Sequence, residues 1–186
     1  MTSPLADRRI LIMATDGFEQ SELEVPRDKL NEAGATVHIA SLKKEEIKGW
    51  EEDDWGTAVN VDLLIEDAKA SDYDALVLPG GQINPDLLRI EEKAISLIQA
   101  FAGAQKPIAA ICHAPWLLIE AGLAEGRTMT CYKSILTDLS NAGAKVAIRP
   151  VAVDGNFITS RCPDDLPDFC DAIVDALARV DADILR

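Results

Sequence analysis

The stretch AAICHAPWLLIEAG, residues 109–122, holds an apolar run that ends at Cys112, then a histidine, then Pro115 opening a second apolar run. A continuous apolar run bounded by a break reads as a short strand covered on both faces. Proline is well placed in a first helical turn, so the second run reads as a helix over 115–121, closed by Gly122. Around the cysteine, Ala110-x-Cys112-x-Ala114 has the form small-x-nucleophile-x-small. That is the steric signature of a sharp strand-to-helix turn, although alanine meets the need less well than glycine.

The same alternation extends in both directions. Residues 8–14 (RRILIMA) read as a strand, 21–33 as a helix stopped by Gly34, and 36–41 (TVHIAS) as a second strand. Residues 43–61, with Gly49, Trp50, Trp55 and Gly56, read as a short hairpin or excursion. ALVL at 75–78 is a buried strand ending in Pro79-Gly80-Gly81, a helix covers 91–104, and 107–111 is the strand that leads into Cys112. A helix is expected over 134–142. Short strands follow at 146–148, 151–153 and 157–159, with Asp154-Gly155-Asn156 as the turn between the last two. The final helix starts near Asp164-Asp165 and runs to about Leu185, with Phe169, Ile173, Leu177 and Val180 on one face. Apolar strands alternating with helices imply a mostly parallel sheet with helices on both faces, a three-layer α/β sandwich formed as one domain over residues 1–186.

The chain has 186 residues, a formal net charge of −14, four cysteines and two histidines. That charge repels phosphate backbones and anionic headgroups, so neither nucleic acid nor a membrane surface is an expected partner. No apolar run reaches spanning length, and MTSPLADRRILIM lacks the pattern of a signal peptide, so a cytoplasmic protein with mostly reduced thiols is expected. Cys112, Cys131, Cys162 and Cys170 have no metal-ligand spacing, and with two histidines no metal site is expected. The acidic run Glu51-Glu52-Asp53-Asp54 reads as a solvated loop.

Functional residues of parallel sheets collect beyond the C-terminal ends of the strands. Cys112 at a helix start is a candidate nucleophile, and a helix N-terminus would favour its thiolate. The N–H groups of His113 and of the Gly80-Gly81 turn are candidates for an oxyanion hole. Glu19 and Glu22, three apart, share a face of the first helical turn, where acids are also simply favourable. Aimed at Cys112, a buried Glu22 would be protonated and would donate to the sulfur. His113 is a candidate base, but adjacent residues at a tight turn usually project apart. His38, inside the second strand, reads as structural, as do Cys131 and Cys162, and Cys170 reads as core.

The set Gly17-Phe-Glu-Gln-Ser-Glu22 with Pro26, Leu78-Pro-Gly-Gly81, Ala110-Ile-Cys-His-Ala-Pro115 and Thr159-Ser-Arg-x-Pro-Asp-Asp-Leu-Pro167 resembles the ThiJ/PfpI family, in its intracellular-protease and general-stress-protein branch. The resemblance spans nearly the whole chain. It implies a flavodoxin-like sheet related to class I glutamine amidotransferases, with Cys112 as nucleophile and Glu22 contacting it. It also implies Glu19 as a second pocket acid, Tyr132 as a pocket tyrosine, and His113 oriented by an acid of a neighbouring subunit. The matching acid is Asp86, so a homo-oligomer with its active site at the subunit interface is expected. Ala114 stands where glycine is common in the family, and Trp116 adds bulk beside the entrance.

Three functions fit these residues. A cofactor-independent enzyme would use Cys112 on reactive carbonyls, either a small aldehyde such as methylglyoxal or a glycated adduct. A cysteine peptidase or amidase would use the same atoms on a protein or peptide. A redox sensor or chaperone would instead oxidise Cys112. The first is the preferred expectation.

Overall fold

In a computed structural model that describes residues 3–184, the elements follow in the order that the apolar pattern predicts, with short additions. The strands are β1 (Arg9–Met13), β2 (Phe18–Glu19), β3 (Thr36–Ser41), β4 (Glu46–Glu51), β5 (Asp54–Asn60), β6 (Leu63–Leu64), β7 (Ala75–Leu78), β8 (Ile108–Ile111), β9 (Thr128–Met129), β10 (Lys145–Val146), β11 (Val151–Asp154) and β12 (Phe157–Ser160). The α-helices are α1 (Gln20–Glu32), α2 (Ile83–Leu88), α3 (Glu92–Gly103), α4 (Pro115–Glu120), α5 (Leu136–Asn141) and α6 (Leu166–Ile184).

The main sheet has seven strands in the order β11-β12-β8-β7-β1-β3-β6. Every pairing in it is parallel except β11 with β12. Alternate residues of the central strands feed two cores. Leu11, Met13, Leu76, Leu78 and Ala110 face α3, α4 and α5, whereas Ile10, Ile12, Val77, Ala109 and Ile111 face α1 and α6. A strand buried on both sides has no polar face to show, which is why β1, β7 and β8 are continuous apolar runs. Phe169, Ile173 and Leu177 of α6 are buried as expected, whereas the side chain of Val180 and the expected end at Leu185 lie outside the described residues.

The excursion is a hairpin, β4–β5, and its β4 edge pairs in parallel with β2, Gly49 opposite Phe18 and Trp50 opposite Glu19. Further bonds fasten it to the loop after β1. Gly17 donates to the Lys48 carbonyl (2.8 Å), Lys48 N–H to Asp16 Oδ1 (2.8 Å), and Thr57 N–H to Gln20 Oε1 (2.6 Å). The hairpin therefore braces the segment that carries Glu19 and Glu22, and its turn exposes the acidic run 51–54. The strand expected at 146–148 is shorter: Lys145–Val146 pairs with Thr128–Met129, and Ile148 is exposed. His38 bonds the Tyr73 hydroxyl through Nδ1 (2.9 Å), a structural role.

Candidate active site

Three strand ends meet at one place. β8 ends at Ile111, and Cys112 then adopts φ 63, in the left-handed region. An L-residue there carries about 1–2 kcal/mol of strain, so the turn must be held from outside. Cys112 N–H donates to the Ser160 carbonyl (3.0 Å), its own carbonyl accepts from Tyr132 N–H (2.8 Å), and Ala114 N–H closes the bend on the Ile111 carbonyl (3.0 Å). The elbow expected from the sequence is therefore present, and the neighbouring strand β12 and the segment after β9 hold it from both sides.

Under the elbow lies the Gly80-Gly81 turn. A Cβ on Gly80 would stand 2.6 Å from Glu22 Oε2 and 2.7 Å from Cys112 Cβ, so only glycine fits. Gly81 has φ 75 and its N–H lies close enough to the sulfur to hydrogen-bond it, as does the N–H of His113. Asn84, fully buried on α2, locks this turn. Its Nδ2 donates to the carbonyls of Pro79 (2.9 Å) and Gly80 (3.1 Å), and its Oδ1 accepts from Thr15 N–H (2.8 Å). Glu19 N–H adds a longer bond to the Gly80 carbonyl (3.3 Å).

Glu22 projects from α1 into this centre and is 0% exposed. Its Oε2 accepts from Gly80 N–H (2.8 Å), while Oε1 is buried without a hydrogen-bond partner. Burial pushes its carboxyl up to about 8, with Glu19 nearby adding to the rise. At neutral pH the acid is therefore mostly protonated, and its carboxyl can donate to the Cys112 side chain it meets. Glu19, half-buried, is itself raised by burial.

The thiol does not behave as the sequence alone suggests. Cys112 is 6% exposed, and burial pushes its pKa up, with the N–H groups of Gly81 and His113 pulling back. The α4 dipole is too small to reverse this, since the helix has six residues and starts three positions beyond the sulfur. The resting form is a thiol, and a base must take its proton. The neighbouring histidine reaches it after all, with His113 Nδ1 3.2 Å from Cys112 Sγ. Burial lowers the pKa of His113, so its ring is neutral and free to accept. The ring stacks on Tyr132 (centroids 4.9 Å, 28°) and meets Trp116 edge-on (5.2 Å, 61°).

Cys112, His113, Glu22, Glu19, Gly80, Gly81 and Tyr132 are thus gathered at one centre. Asp86 is not among them. It lies exposed on α2, in a groove with Gln82, Ile83, Leu87 and Trp116. Two residues that sequence reasoning passed over belong to the site. Asn84 fixes the glycine turn, and Ser134 Oγ lies 3.1 Å from His113 Nε2. Beyond Tyr132 opens a cavity of about 520 Å³ lined by Cys131, Leu136, Ile148, Arg161 and Cys162 among others. Burial raises the thiol of Cys131 to about 12, and that of Cys170 to about 11. Among the described residues, no group of three or more His, Cys, Asp or Glu side chains could hold a metal ion, and no helix is long and apolar enough to cross a membrane.

A buried cysteine on a left-handed turn after a parallel strand, with an acid from the first helix beneath it, defines the class of elbow-cysteine α/β proteins. The chain belongs to the DJ-1/PfpI family, whose sequence profile matches residues 8–176. It is 42% identical over 158 residues to Deglycase PfpI of Pyrococcus furiosus, covering 85% of this chain and 92% of that one. It is 41% identical over 165 residues to General stress protein 18 of Bacillus subtilis, covering 87% and 93%. The fold superposes on the crystal structure of DJ-1beta of Drosophila melanogaster with a TM-score of 0.84 at 31% identity, covering 92% of this chain and 90% of that chain.

Proposed function

We propose that the protein is a cysteine-dependent enzyme acting on reactive carbonyls, with glycated adducts of 2-oxoaldehydes as its preferred substrates and the free aldehydes as simpler ones. The observation that carries this reading is the Cys112 Sγ to His113 Nδ1 distance of 3.2 Å on a turn held in the left-handed region. Relatives named deglycases at 40–43% identity support it.

His113 takes the thiol proton as the sulfur adds to the aldehyde carbon, and the C=O electron pair moves to oxygen. The N–H groups of Gly81 and His113 hold that oxygen, and His113 returns the proton to it, giving a hemithioacetal. His113 then removes the C1 proton while Glu22 protonates the second carbonyl oxygen, giving an enediol. Protonation at C2 by His113, with return of the hydroxyl proton to Glu22, leaves a thioester. Water cleaves the thioester to a 2-hydroxy acid and the free thiol. The sum is R-CO-CHO plus water giving R-CH(OH)-COOH, with no net redox change. A hemiaminal adduct, R-CO-CH(OH)-NHR', first passes its hydroxyl proton to nitrogen and breaks its C–N bond, giving R-CO-CHO and the free amine, and the aldehyde then follows the same course. The protonated state of buried Glu22 suits it to the acid role.

Peptide hydrolysis would use the same sulfur. With Cys112 and His113 each 6% exposed, a small carbonyl or a projecting adduct reaches the sulfur more readily than a polypeptide laid across it. The test is to compare hydroxy-acid release from methylglyoxal and from a methylglyoxal-treated peptide with cleavage of an unfolded protein. Each is measured for the wild type and for Cys112→Ala. Carbonyl turnover lost in Cys112→Ala supports the reading, and proteolysis without carbonyl turnover refutes it.

A further inference from the structure

His113 has two ring nitrogens and, within this chain, two partners. Nδ1 faces the Cys112 sulfur at 3.2 Å, and Nε2 faces Ser134 Oγ at 3.1 Å. We infer that Ser134 is a positioning residue for His113, holding the imidazole so that Nδ1 points at the sulfur. This deepens the proposed function and rests on it for its catalytic meaning.

The placement is rigid. Tyr132 N–H bonds the Cys112 carbonyl (2.8 Å), Ile135 N–H bonds the Tyr132 carbonyl (3.0 Å), and Ser134 sits in the turn between them. The Tyr132 ring stacks on the imidazole from the same segment. The hydroxyl is therefore tied to the elbow it serves. With Nε2–H donating to Oγ, Nδ1 carries a lone pair toward the S–H and can act as base. After proton transfer the imidazolium keeps Nε2–H on the same oxygen, so the contact persists through the step.

A hydroxyl differs from a carboxylate in this position. It fixes the tautomer but brings no negative charge to stabilise the imidazolium. The titratable and charged groups about the ring are Cys112 and, beyond the sulfur, Glu22, with Tyr132 on its face. Trp116 carries Asp138 on its indole N–H (2.9 Å) and the Arg89 guanidinium over its ring (5.3 Å). None of these is a carboxylate bonded to His113, and its titration is moved by burial alone. Ser134 thus gives His113 an orienting contact from its own chain, separate from the one that the family resemblance assigns to Asp86 of a neighbouring chain.

The experiment is iodoacetamide labelling of Cys112, read by peptide mass against pH, with the wild type, Ser134→Ala, Ser134→Thr, Ser134→Asp and Asp86→Ala. Ser134→Ala should label about fivefold to tenfold more slowly at neutral pH, the loss of one hydrogen bond to the base. Ser134→Thr, which restores the hydroxyl, should recover the rate. Ser134→Asp should move the labelling profile to lower pH, because a carboxylate stabilises the imidazolium and with it the thiolate. A purely structural serine would produce neither the recovery nor the acid-side shift. A slower Ser134→Ala supports the inference whatever Asp86→Ala does. A Ser134→Ala profile matching the wild type overturns it, whether or not Asp86→Ala has shifted. Labelling needs no substrate, so a protein that turns over no carbonyl would sink the proposed function and leave this result readable.

Discussion

Cys112 and His113 are adjacent in sequence, yet Sγ and Nδ1 lie 3.2 Å apart, because the left-handed turn at Cys112 swings both side chains to one side of the elbow. The thiol is held protonated by burial and the imidazole is held neutral, so proton transfer between them is the activating step. His113→Gln keeps an amide near the sulfur but removes the base. Carbonyl turnover should fall about 100-fold to 10,000-fold. A His113→Gln enzyme within a few-fold of wild type in steady-state assays would show that another group takes the proton.

The backbone at Cys112 makes a prediction about stability alone. At φ 63 glycine is free of strain and alanine is not. Cys112→Gly should therefore be more stable than Cys112→Ala by about 1 kcal/mol, the reverse of the order in a helix or strand. Urea unfolding of the two inactive variants measures it, and an alanine variant of equal or greater stability would contradict the strained turn.

Glu22 links stability to pH. Its folded pKa, raised from 4.5 to about 8, means that the native state keeps a proton that the unfolded chain loses. Native stability should fall as pH rises from about 4.5 to about 8, by an amount on the order of 5 kcal/mol if nothing relaxes. Glu22→Gln should flatten that slope and lose activity. Parallel pH–stability curves for the two proteins would mean that Glu22 is ionised in the fold.

Gly80 separates the acid from the nucleophile by backbone alone. In Gly80→Ala the new methyl would meet Glu22 Oε2 and Cys112 Cβ at 2.6 and 2.7 Å. The expected result is a loss of about 2 kcal/mol in unfolding free energy together with loss of turnover. An active, fully stable Gly80→Ala would place the glycine turn elsewhere than under the sulfur.

The order of strands and helices was legible because the buried strands are uninterrupted apolar runs and Gly34, Gly122 and Gly143 stop three of the helices. The strands β2, β6, β9 and β10 have two residues each, and only a neighbouring strand makes them strands. Apart from β10, which the expected strand at 146–148 overlaps at Val146, no local pattern announces them, nor α2, six residues containing Pro85. At the site, the cysteine, the acid and the glycine turn carried their own signatures. The hairpin's bracing of Asp16, Gly17 and Gln20, the lock by Asn84 and the Ser134 contact are long-range hydrogen bonds between polar residues of ordinary type. The upward push on the Cys112 thiol comes from how deeply the elbow is covered, and a helix-start argument cannot weigh that.

The central claim is that Cys112 adds to a carbonyl carbon. Brief incubation with methylglyoxal, borohydride quenching and peptide mass mapping tests it directly. The prediction is one aldehyde-derived adduct per chain, on the peptide containing Cys112, that vanishes in Cys112→Ser and falls sharply in His113→Gln. Adducts confined to lysine, arginine or the other cysteines, with Cys112 unmodified in an enzyme that turns the aldehyde over, would contradict it.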